Sequence, residues 1–401
     1  MKNILFLTHL YPYPADDGGR IVTYNTLKNF VQYGHRVYLC VFSDQENSEI
    51  ELEMPIDVEI IKVPISYRNT PKLLLKNIVS KMSYNMQKYI NDDMKRAIEE
   101  ILDAKQIDIV YMDHLHMAYY SENIRLRKNT TIVLRQHNVE SQIMERVYKK
   151  EKNIIKKIFL LYQFIKLRNY ERNITGRFDR VYMITKEDQA LMHKLNPEAN
   201  LALLPAGVDT EKYYPIPKSS TGNEPIITFL GSLSWYPNID GLRWFVNNVF
   251  PRVIKEIPNV KLYIVGKDPS SELIKYKSLY PKNIMITGYV EDERPYIAQS
   301  DVFIVPLFIG GGMRIKILNA LAMKMPVIST SIGAEGIEAT GGAICIADTT
   351  DQFLEQTLKI MRNKEIAEEF ASIGYKLILR NYDNKSILMN HASELNELMK
   401  D

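Results

Sequence analysis

Short apolar runs alternate with helical patterns along most of this chain. In the first part the predicted elements are strands at Ile4–Thr8, Arg36–Phe42, Val58–Val63, Ile107–Met112, Ile132–Arg135 and Arg180–Ile184, with a helix at Ile21–Gly34. The second part repeats the scheme with strands at Ile226–Leu230, Val260–Val265, Ile284–Thr287, Val302–Pro306 and Pro326–Ser329, and with a helix over 240–257. Strands that alternate with helices are typical of parallel sheets covered on both faces. The pattern therefore predicts an α/β chain with two Rossmann-like, doubly wound domains that face a cleft.

The two parts meet near Tyr213–Glu224, a stretch of Pro, Lys, Ser, Thr and Gly that is typical of a linker. We predict a first domain over 1–208 and a second over 209–384. Helical patterns at 364–377 and about 385–400 close the chain. A length of 401 residues fits two domains of ordinary size.

Composition, charge and the lengths of apolar runs limit the classes of protein to which this chain can belong. The net charge of +3 is too small to indicate a nucleic-acid partner. Cys40 and Cys345 lie far apart in apolar runs, which favours buried thiols in a reducing compartment. The apolar start, Asn3–Thr8, is short and favours a first strand over a signal peptide. With no apolar run of about 18 residues, we expect a cytoplasmic protein, either soluble or peripheral on the inner face of the cell membrane.

The most informative segment follows the predicted strand Val302–Pro306. Gly310, Gly311 and Gly312 end the apolar run, and a helical pattern begins directly after them. Glycines between a strand and a helix let backbone N–H groups approach an anion, and the helix N-terminus adds partial positive charge. Arg314 and Lys316 oppose the helix dipole there, so a phosphate-bearing ligand would explain them. The alternative is a tight turn that carries two solvated cations.

This segment resembles the donor-binding signature of family 4 glycosyltransferases, which have the GT-B fold. Further matching segments are Asn3–Thr8 with Gly18, Gly19 and Arg20, then Arg135–Glu140, Pro205–Asp209, Phe229–Asn238, Val265–Gly266 and Thr287–Val290. Their order and spacing carry the resemblance. It implies retaining transfer from a nucleotide-diphosphate sugar, and a C-terminal helix that crosses back to the first domain.

The resemblance also implies the donor-binding residues. They are Gly18, Gly19, Gly231, Ser232, Gly266, Tyr289, Val290, Gly310, Gly311, Gly312, Met313, Arg314, Lys316, Ile317 and Asn319. The family commonly has an Arg and a Lys after the first strand of the second domain; Gly231–Asn238 has neither, and Arg314 and Lys316 take over the charge. Asn319 and Gly311 stand where the family usually has acids, which leaves a non-catalytic homologue open.

Histidines follow two predicted strands of the first domain. His114 and His116 come after Ile107–Met112, and His137 follows the next strand. The family often has a histidine here that meets the transferred sugar, so these three are catalytic candidates together with Arg314 and Lys316. Asp113 is a further candidate, and His9 is held in reserve. A structural role for each histidine is the alternative.

Two basic insertions interrupt the first domain, over 67–102 and 145–180. The second surrounds the apolar run Ile158–Ile165 with lysines and arginines. An amphipathic helix with a basic face binds anionic membrane surfaces. A helix packed on the core with a solvated charged face is the alternative.

The sequence therefore predicts a hexosyltransferase-type enzyme that moves a sugar from a nucleotide sugar to a glycan or lipid-linked acceptor. Bacterial surface polysaccharide or glycoconjugate assembly is the expected context. We expect no metal, because no D-x-D follows a predicted strand. A sugar-nucleotide epimerase of the same fold and a non-catalytic sugar-nucleotide-binding partner subunit are the alternatives.

Overall fold

The structure is a computed structural model that describes residues 1–15, 17–44, 53–66, 77–125, 130–218, 224–338 and 340–398. The chain forms two compact units. One comprises Met1–Pro205 with Leu388–Asp401, and the other comprises Ala206–Ile387. The described part of the predicted linker lies in the second unit, where Tyr213 is buried and its hydroxyl donates to Glu293.

The first unit is built on a 7-stranded parallel sheet. Its strands are β1 (Asn3–Thr8), β2 (Arg36–Asp44), β3 (Glu59–Ile65), β4 (Ile109–Asp113), β5 (Thr131–Gln136), β6 (Arg180–Met183) and β7 (Leu201–Leu203). The spatial order β3-β2-β1-β4-β5-β6-β7 reverses direction between β1 and β4. Loops after the carboxyl ends of two such strands diverge and leave a crevice in which ligands bind.

Helices pack on this sheet. They are α1 (Gly18–Gln32), α2 (Tyr84–Gln87), α3 (Asp92–Ala104), α4 (Ser121–Arg125), α5 (Glu140–Lys150), α6 (Ile154–Thr175) and α7 (Lys186–Leu195), with a 3₁₀ turn at Leu115–Tyr120. The first of them starts a few residues before the predicted Ile21. Its N-cap is Asp17, whose carboxylate accepts from the Arg20 N–H at 3.0 Å.

The second unit holds a 6-stranded parallel sheet in the order β10-β9-β8-β11-β12-β13. Its strands are β8 (Ile226–Leu230), β9 (Lys261–Val265), β10 (Ile284–Gly288), β11 (Val302–Val305), β12 (Val327–Ser329) and β13 (Cys345–Ile346). The order reverses between β8 and β11. All the described strands except β7 and β13 match predicted strands, and these two are too short to show a pattern.

The helices of the second unit follow the same alternation. They are α8 (Tyr236–Trp244), α9 (Phe250–Glu256), α10 (Ser271–Leu279), α11 (Arg294–Ala298), α12 (Ile315–Ala322), α13 (Thr350–Arg362), α14 (Lys364–Leu377) and α15 (Asn384–Leu398). Two π turns interrupt them, at Phe245–Val249 and Ile378–Tyr382, and a 3₁₀ turn lies at Thr340–Gly342. The helix predicted over 240–257 is thus α8, a π turn and α9 in succession.

The last helix joins the two units. It begins in the second, and from Leu388 onward it belongs to the first. There His391 is buried, with its ring centroid 4.5 Å from that of Tyr182 and 5.7 Å from that of Tyr111. The predicted return of the C-terminal helix to the first domain is confirmed.

Each unit has its own apolar core. Cys40 and Cys345 are free and buried, as predicted, and burial raises their thiol pKa values to about 12 and about 11. Among the helices within the described ranges, none has the length and apolar character needed to cross a membrane.

Candidate active site

The glycine loop of the second unit connects β11 to α12. Gly310 and Gly312 have φ of 134° and 71°, values that L-amino acids with side chains rarely adopt. Arg314 is the N-cap residue of α12 and has extended backbone. Its guanidinium therefore folds back over the loop, where Nη1 donates to the carbonyl oxygens of Gly311 and, at 3.0 Å, Gly312. A cation is thereby fixed against the glycines.

Lys316, the second residue of α12, brings another cation to the same loop. Its Nζ donates to Asn238 Oδ1 at 3.0 Å and lies 4.5 Å from the centre of the Phe229 ring. Burial, and then the nearby Arg314 guanidinium, lower the pKa of Lys316 to about 7. Two cations held together away from water are unfavourable unless an anion neutralises them. The arrangement therefore suits a diphosphate.

The absence of a side chain at Gly231 leaves room for the Lys316 ammonium group. Gly231 follows β8 and has φ of 153°. A Cβ atom there would lie 2.5 Å from Lys316 Nζ and 2.8 Å from Asn238 Nδ2. Gly266, with φ of 157°, lies against the Gly231 carbonyl in the same way. The structure thus brings Gly231, Gly266, Arg314 and Lys316 together, because the loops after β8, β9 and β11 leave the same edge of the sheet.

Four other predicted donor-binding residues follow β10 or lie on α12. Tyr289 and Val290 follow β10, and the Tyr289 side chain is exposed. Ile317 is fully buried on α12, so its side chain belongs to the core. Asn319 is also buried on α12. Its role at a ribose stays a prediction.

Two residues that the sequence analysis did not assign also contact this loop. Asn238 holds Lys316, and its Nδ2 donates to the Ser232 carbonyl at 2.8 Å. Trp235 has its indole centre 6.0 Å from Arg314 Cζ. Both lie in the segment Phe229–Asn238, whose spacing indicated a donor loop without indicating these contacts.

A second cluster lies in the first unit, where β1, β4 and β5 end. The fully buried Asp113 ends β4 and accepts a hydrogen bond from the Thr23 hydroxyl of α1. One of its oxygens lies 2.8 Å from His137 Nε2, and the other lies 3.7 Å from His114 Nε2. Burial opposes ionisation of Asp113, but the imidazoles of His137 and His114 outweigh it and hold the pKa well below the usual range.

The histidine rings form one continuous group, in which His9 stacks on His116, His114 stacks on His137, and His9 meets His114 edge-on. The centroid separations are 3.6 Å for His114–His137, 4.5 Å for His9–His114, 4.3 Å for His9–His116 and 4.8 Å for His116–Tyr89. Burial is the largest cause that lowers the pKa of His9 and His114 well below the usual value, and it lowers that of His116 to about 3. These three rings are therefore neutral near pH 7, and each neutral imidazole carries one donor and one acceptor nitrogen.

The backbone at His114 is strained. Its φ is 71°, a left-handed value that is uncommon for a residue with a side chain. Its N–H donates to the Arg135 carbonyl of β5 at 2.8 Å, which holds it in place. Gly19, a predicted donor-binding residue in the first turn of α1, lies nearby, since a Cβ there would be 3.8 Å from the His114 ring. Strain of this kind is typical of functional sites.

Glu171 of α6 fastens the segment that carries His137. This buried carboxylate accepts from the Gln136 side chain, from the N–H groups of Glu140 and Ser141 at 2.9 Å and 3.0 Å, and from the Ser141 hydroxyl. Burial raises its pKa to about 7. Glu171 was not predicted as a site residue, since nothing in the local sequence pattern distinguishes it from other charged helix residues.

Side chains of this cluster are close enough to be considered as metal ligands. The ligand atoms of His9, His114 and His116 lie within 4.8 Å of one another, as do those of Asp113, His114 and His137. However, the His9 and His116 rings are stacked, and so are those of His114 and His137. Lone pairs in the planes of stacked rings run side by side and do not converge on one ion. The absence of a resident metal stays a prediction.

The second basic insertion forms α5 and α6. The first half of α6 is exposed on nearly every side, including Ile155 at 81% and Ile158 at 64% exposure, and its second half packs on the core. Apolar and basic side chains are therefore exposed together along the first half of α6. Lys166, counted as part of the basic surface, is buried and donates to the Asn77 carbonyl at 2.5 Å. Positions 67–76 of the first insertion lie outside the described residues.

Comparisons with known proteins agree with this geometry. Residues 17–212 match the model for Glycosyltransferase Family 4, and residues 224–363 match that for Glycosyl transferases group 1. An uncharacterized 44.6 kDa protein in the cps region of Klebsiella pneumoniae is 28% identical over 98% of this chain and 100% of its own.

Solved structures share the fold. Sucrose-phosphate synthase from Thermosynechococcus elongatus superposes with a TM-score of 0.74 at 14% identity, over 100% of both chains. The HepE protein of Anabaena in complex with UDP gives 0.69 at 14% identity, over 99% of this chain and 100% of its own. With a glycine loop that fixes two cations and family matches to both units, the chain belongs to the family 4 glycosyltransferases and has the GT-B fold.

Proposed function

We propose that this enzyme is a retaining glycosyltransferase that uses a nucleotide-diphosphate sugar as its donor. The pair of cations at the glycine loop, Arg314 and Lys316, is the observation that carries the proposal. Solved relatives of the same fold bind UDP and UDP-glucose, which supports a nucleotide sugar. Retention of anomeric configuration is taken from the family.

The chemistry follows from charge. When the bond between the sugar C1 and the diphosphate oxygen breaks, the leaving nucleoside diphosphate keeps the electron pair and gains negative charge. Preorganised cations stabilise such charge most in the transition state. Arg314 and Lys316 are fixed before the donor binds, through Gly312 and Asn238. No metal is needed for this step.

The histidine cluster of the first unit supplies the complementary function. Imidazole nitrogens form hydrogen bonds with sugar hydroxyl groups. We assign His114, His116 and His137 to the sugar and to the acceptor hydroxyl, with Asp113 orienting His137.

The acceptor is a glycan or a lipid-linked glycan in bacterial surface polysaccharide assembly. The relative from a cps region supports polysaccharide synthesis. Exposed apolar residues on α6, Ile155 and Ile158, support docking on a membrane, as do the exposed lysines beside them. Anionic lipid attracts each basic residue by ~1 kcal/mol. Peripheral attachment at the inner face of the membrane would bring the enzyme to a lipid-linked acceptor.

Calorimetry with UDP tests the donor site. Arg314→Ala and Lys316→Ala each remove charge-assisted contacts worth ~1.5–3 kcal/mol, so UDP affinity falls by ~10-fold or more in each variant. Lys324→Ala is the matched control, because this cation follows α12 and is exposed. Unchanged affinity in both loop variants would contradict the diphosphate site.

A turnover assay distinguishes a transferase from a binding subunit and from an epimerase. Release of sugar from UDP-glucose without acceptor, in the presence of EDTA, is the result expected for a metal-free transferase. Binding without turnover indicates a binding subunit, and formation of an epimeric nucleotide sugar indicates an epimerase. Loss of activity in EDTA that magnesium restores would overturn the metal-free assignment.

Vesicle sedimentation tests membrane docking. Binding is expected with anionic vesicles and not with neutral ones, and added salt weakens it because charges are screened beyond ~8 Å. The test variant replaces by glutamine the lysines at the start of α6 and before it, Lys149, Lys150, Lys152, Lys156 and Lys157. The control replaces exposed lysines of the second unit, Lys255, Lys275, Lys277, Lys282 and Lys364. Equal binding by both variants, or none by the wild type, would contradict membrane docking.

A further inference from the structure

We infer that the segment 231–238, here called the support loop, positions both phosphate-binding cations, with Asn238 holding Lys316 and Trp235 holding Arg314. This inference rests on the proposed donor site and assigns roles to residues that touch its cations. The support loop follows β8, and the glycine loop follows β11. Because β8 and β11 are the neighbours between which the strand order reverses, the two loops lie side by side.

Asn238 holds Lys316 through a defined amide orientation. Its Nδ2 donates to the Ser232 carbonyl at 2.8 Å, which turns Oδ1 toward Lys316 Nζ at 3.0 Å. The side chain is buried, so the amide is fixed by these bonds. Asparagine provides the acceptor that an ammonium needs and adds no charge. The positive charge of Lys316 thus stays available to a phosphate, whereas an aspartate would neutralise it.

Trp235 acts on Arg314. The guanidinium carbon is 6.0 Å from the indole centre, a separation at which a cation is attracted to an aromatic face. A Cβ at Gly310 would lie 2.3 Å from Arg314 Nη2 and 3.8 Å from Trp235 Cη2, so the glycine leaves room for the guanidinium on the side that the indole borders. Trp235 is 45% exposed, so part of the indole is accessible to a ligand. The indole therefore borders the place where a phosphate would reach Arg314.

The departure from the family pattern has a physical explanation in this arrangement. The family commonly carries cations in the loop after the first strand of the second domain, and the support loop has none. In this chain Arg314 is the N-cap residue of α12 and Lys316 lies in its first turn. The support loop contributes the Asn238 amide and the Trp235 indole, which hold these two cations. A change in either holder therefore alters anion binding without removing a cation.

Calorimetry with UDP at about pH 6 and about pH 9 tests Asn238. Among the described groups that pack on Lys316, Arg314 is charged, and Phe229 of β8 and Asn238 of α8 do not titrate. Wild-type affinity should fall as pH rises and Lys316 loses its proton. Asn238→Asp should weaken binding by ~10-fold near pH 6 and remove most of that pH dependence, because the new carboxylate pairs with Lys316. Asn238→Leu should weaken binding and keep the pH dependence.

Asn248→Asp is the matched control, since Asn248 is exposed and its amide donates to the Trp244 carbonyl. It adds the same charge outside the support loop and should leave UDP affinity and its pH profile as in the wild type. If Asn238→Asp behaves like this control, Asn238 does not position Lys316.

Tryptophan fluorescence tests Trp235. The chain has 2 tryptophans, and Trp244 packs edge-on against Phe308 and Phe353 at centroid distances of 4.8 Å and 5.5 Å. Titration with UDP should change the emission of the wild type. Trp235→Phe should lose this signal and keep affinity within about three-fold, whereas Trp235→Leu should lose ~10-fold in affinity because it removes the aromatic face. A signal retained in Trp235→Phe, or full affinity in Trp235→Leu, would overturn the role of Trp235.

UDP binding by the Arg314 and Lys316 variants distinguishes a failure of the proposed donor site from a failure of the support-loop inference. If Arg314→Ala and Lys316→Ala lose UDP but the support-loop variants do not, the donor site stands and this inference fails. If all variants bind UDP like the wild type, the proposed donor site itself fails.

Discussion

At the scale of single residues, burial decides what the charged groups do. Lys316 is an ordinary lysine in the sequence, and burial beside Arg314 lowers its pKa to about 7. Asp113 shows the opposite result, because histidines at its carboxylate keep it ionised although it is fully buried. Asp113 is thus held as the anion that its proposed role requires. The lowered pKa of Lys316 makes its positive charge depend on pH and on a bound anion, which favours the protonated form.

We predict that Asp113→Asn lowers the rate of sugar transfer by ~100-fold, since the amide keeps the shape but loses the charge that orients His137, and small displacements of catalytic groups cost about this much. UDP affinity should stay within about two-fold, because Arg314 and Lys316 belong to the second unit. Activity assays and calorimetry on one preparation check this. Asp179→Asn, in the same unit but away from the histidines, is the control, and equal losses in both variants would indicate a general folding defect.

Asn319 provides a second residue-scale prediction. If its oxygen accepts from a ribose, Asn319→Glu retains or improves UDP affinity, and Asn319→Leu weakens it. Calorimetry with UDP measures both. Full affinity and activity in Asn319→Leu would show that the residue serves only the packing of α12.

At the scale of elements, the site depends on loops that leave the carboxyl ends of neighbouring parallel strands. β8 and β11 bring the support loop to the glycine loop, and β1, β4 and β5 bring their histidines together. α12 is buried on nearly every side. It is therefore a rigid base for Arg314 and Lys316.

Gly231→Ala tests the element-scale contact. A methyl group there would lie 2.5 Å from Lys316 Nζ, so the ammonium must move and UDP affinity should fall by ~10-fold. Gly34→Ala is the control, because Gly34 also has a positive φ, 75°, but has open space around its Cβ. Calorimetry should show unchanged UDP affinity for Gly34→Ala, even if its thermal stability drops by ~1 kcal/mol. Equal UDP affinity in the two variants would contradict the role of Gly231.

At the scale of the whole molecule, α15 ties the end of the chain to the first unit through a buried imidazole. Burial, followed by the charge of Arg135, lowers the pKa of His391 well below its usual value. An unfolded histidine takes up a proton below about pH 6.5, and folded His391 does not until much lower pH. Its contribution to stability is therefore complete above about pH 6.5 and is lost as the pH falls below it.

We predict that His391→Met reduces the fall in Tm between about pH 7 and about pH 4.5, because methionine fills the space between the aromatic rings and cannot be protonated. Thermal unfolding followed by circular dichroism measures this. His193→Met, at an exposed position on α7, is the control and should follow the wild-type profile. Identical profiles for all three proteins would show that His391 does not contribute to acid sensitivity.

Much of the fold was readable before the structure. The alternation of apolar runs and helical patterns predicted every described strand except β7 and β13, and the resemblance predicted the return of the last helix. The exposure of the first half of α6 could not be predicted from the sequence, because periodicity does not show which part of a helix packs against the rest of the protein. Lys166 shows the same limit, since a lysine in a basic run proved to be buried against Asn77.

The sequence by itself determined the local features: which segments form strands, where glycines open a loop, and where cations follow it. These depend on neighbours along the chain, through periodicity and backbone freedom. Only the tertiary structure decided which distant groups meet, such as Lys316 with Asn238, or Asp113 with His137 and Thr23. It also decided their charge states, because a pKa depends on burial and on neighbours in space, and neither is encoded in local sequence.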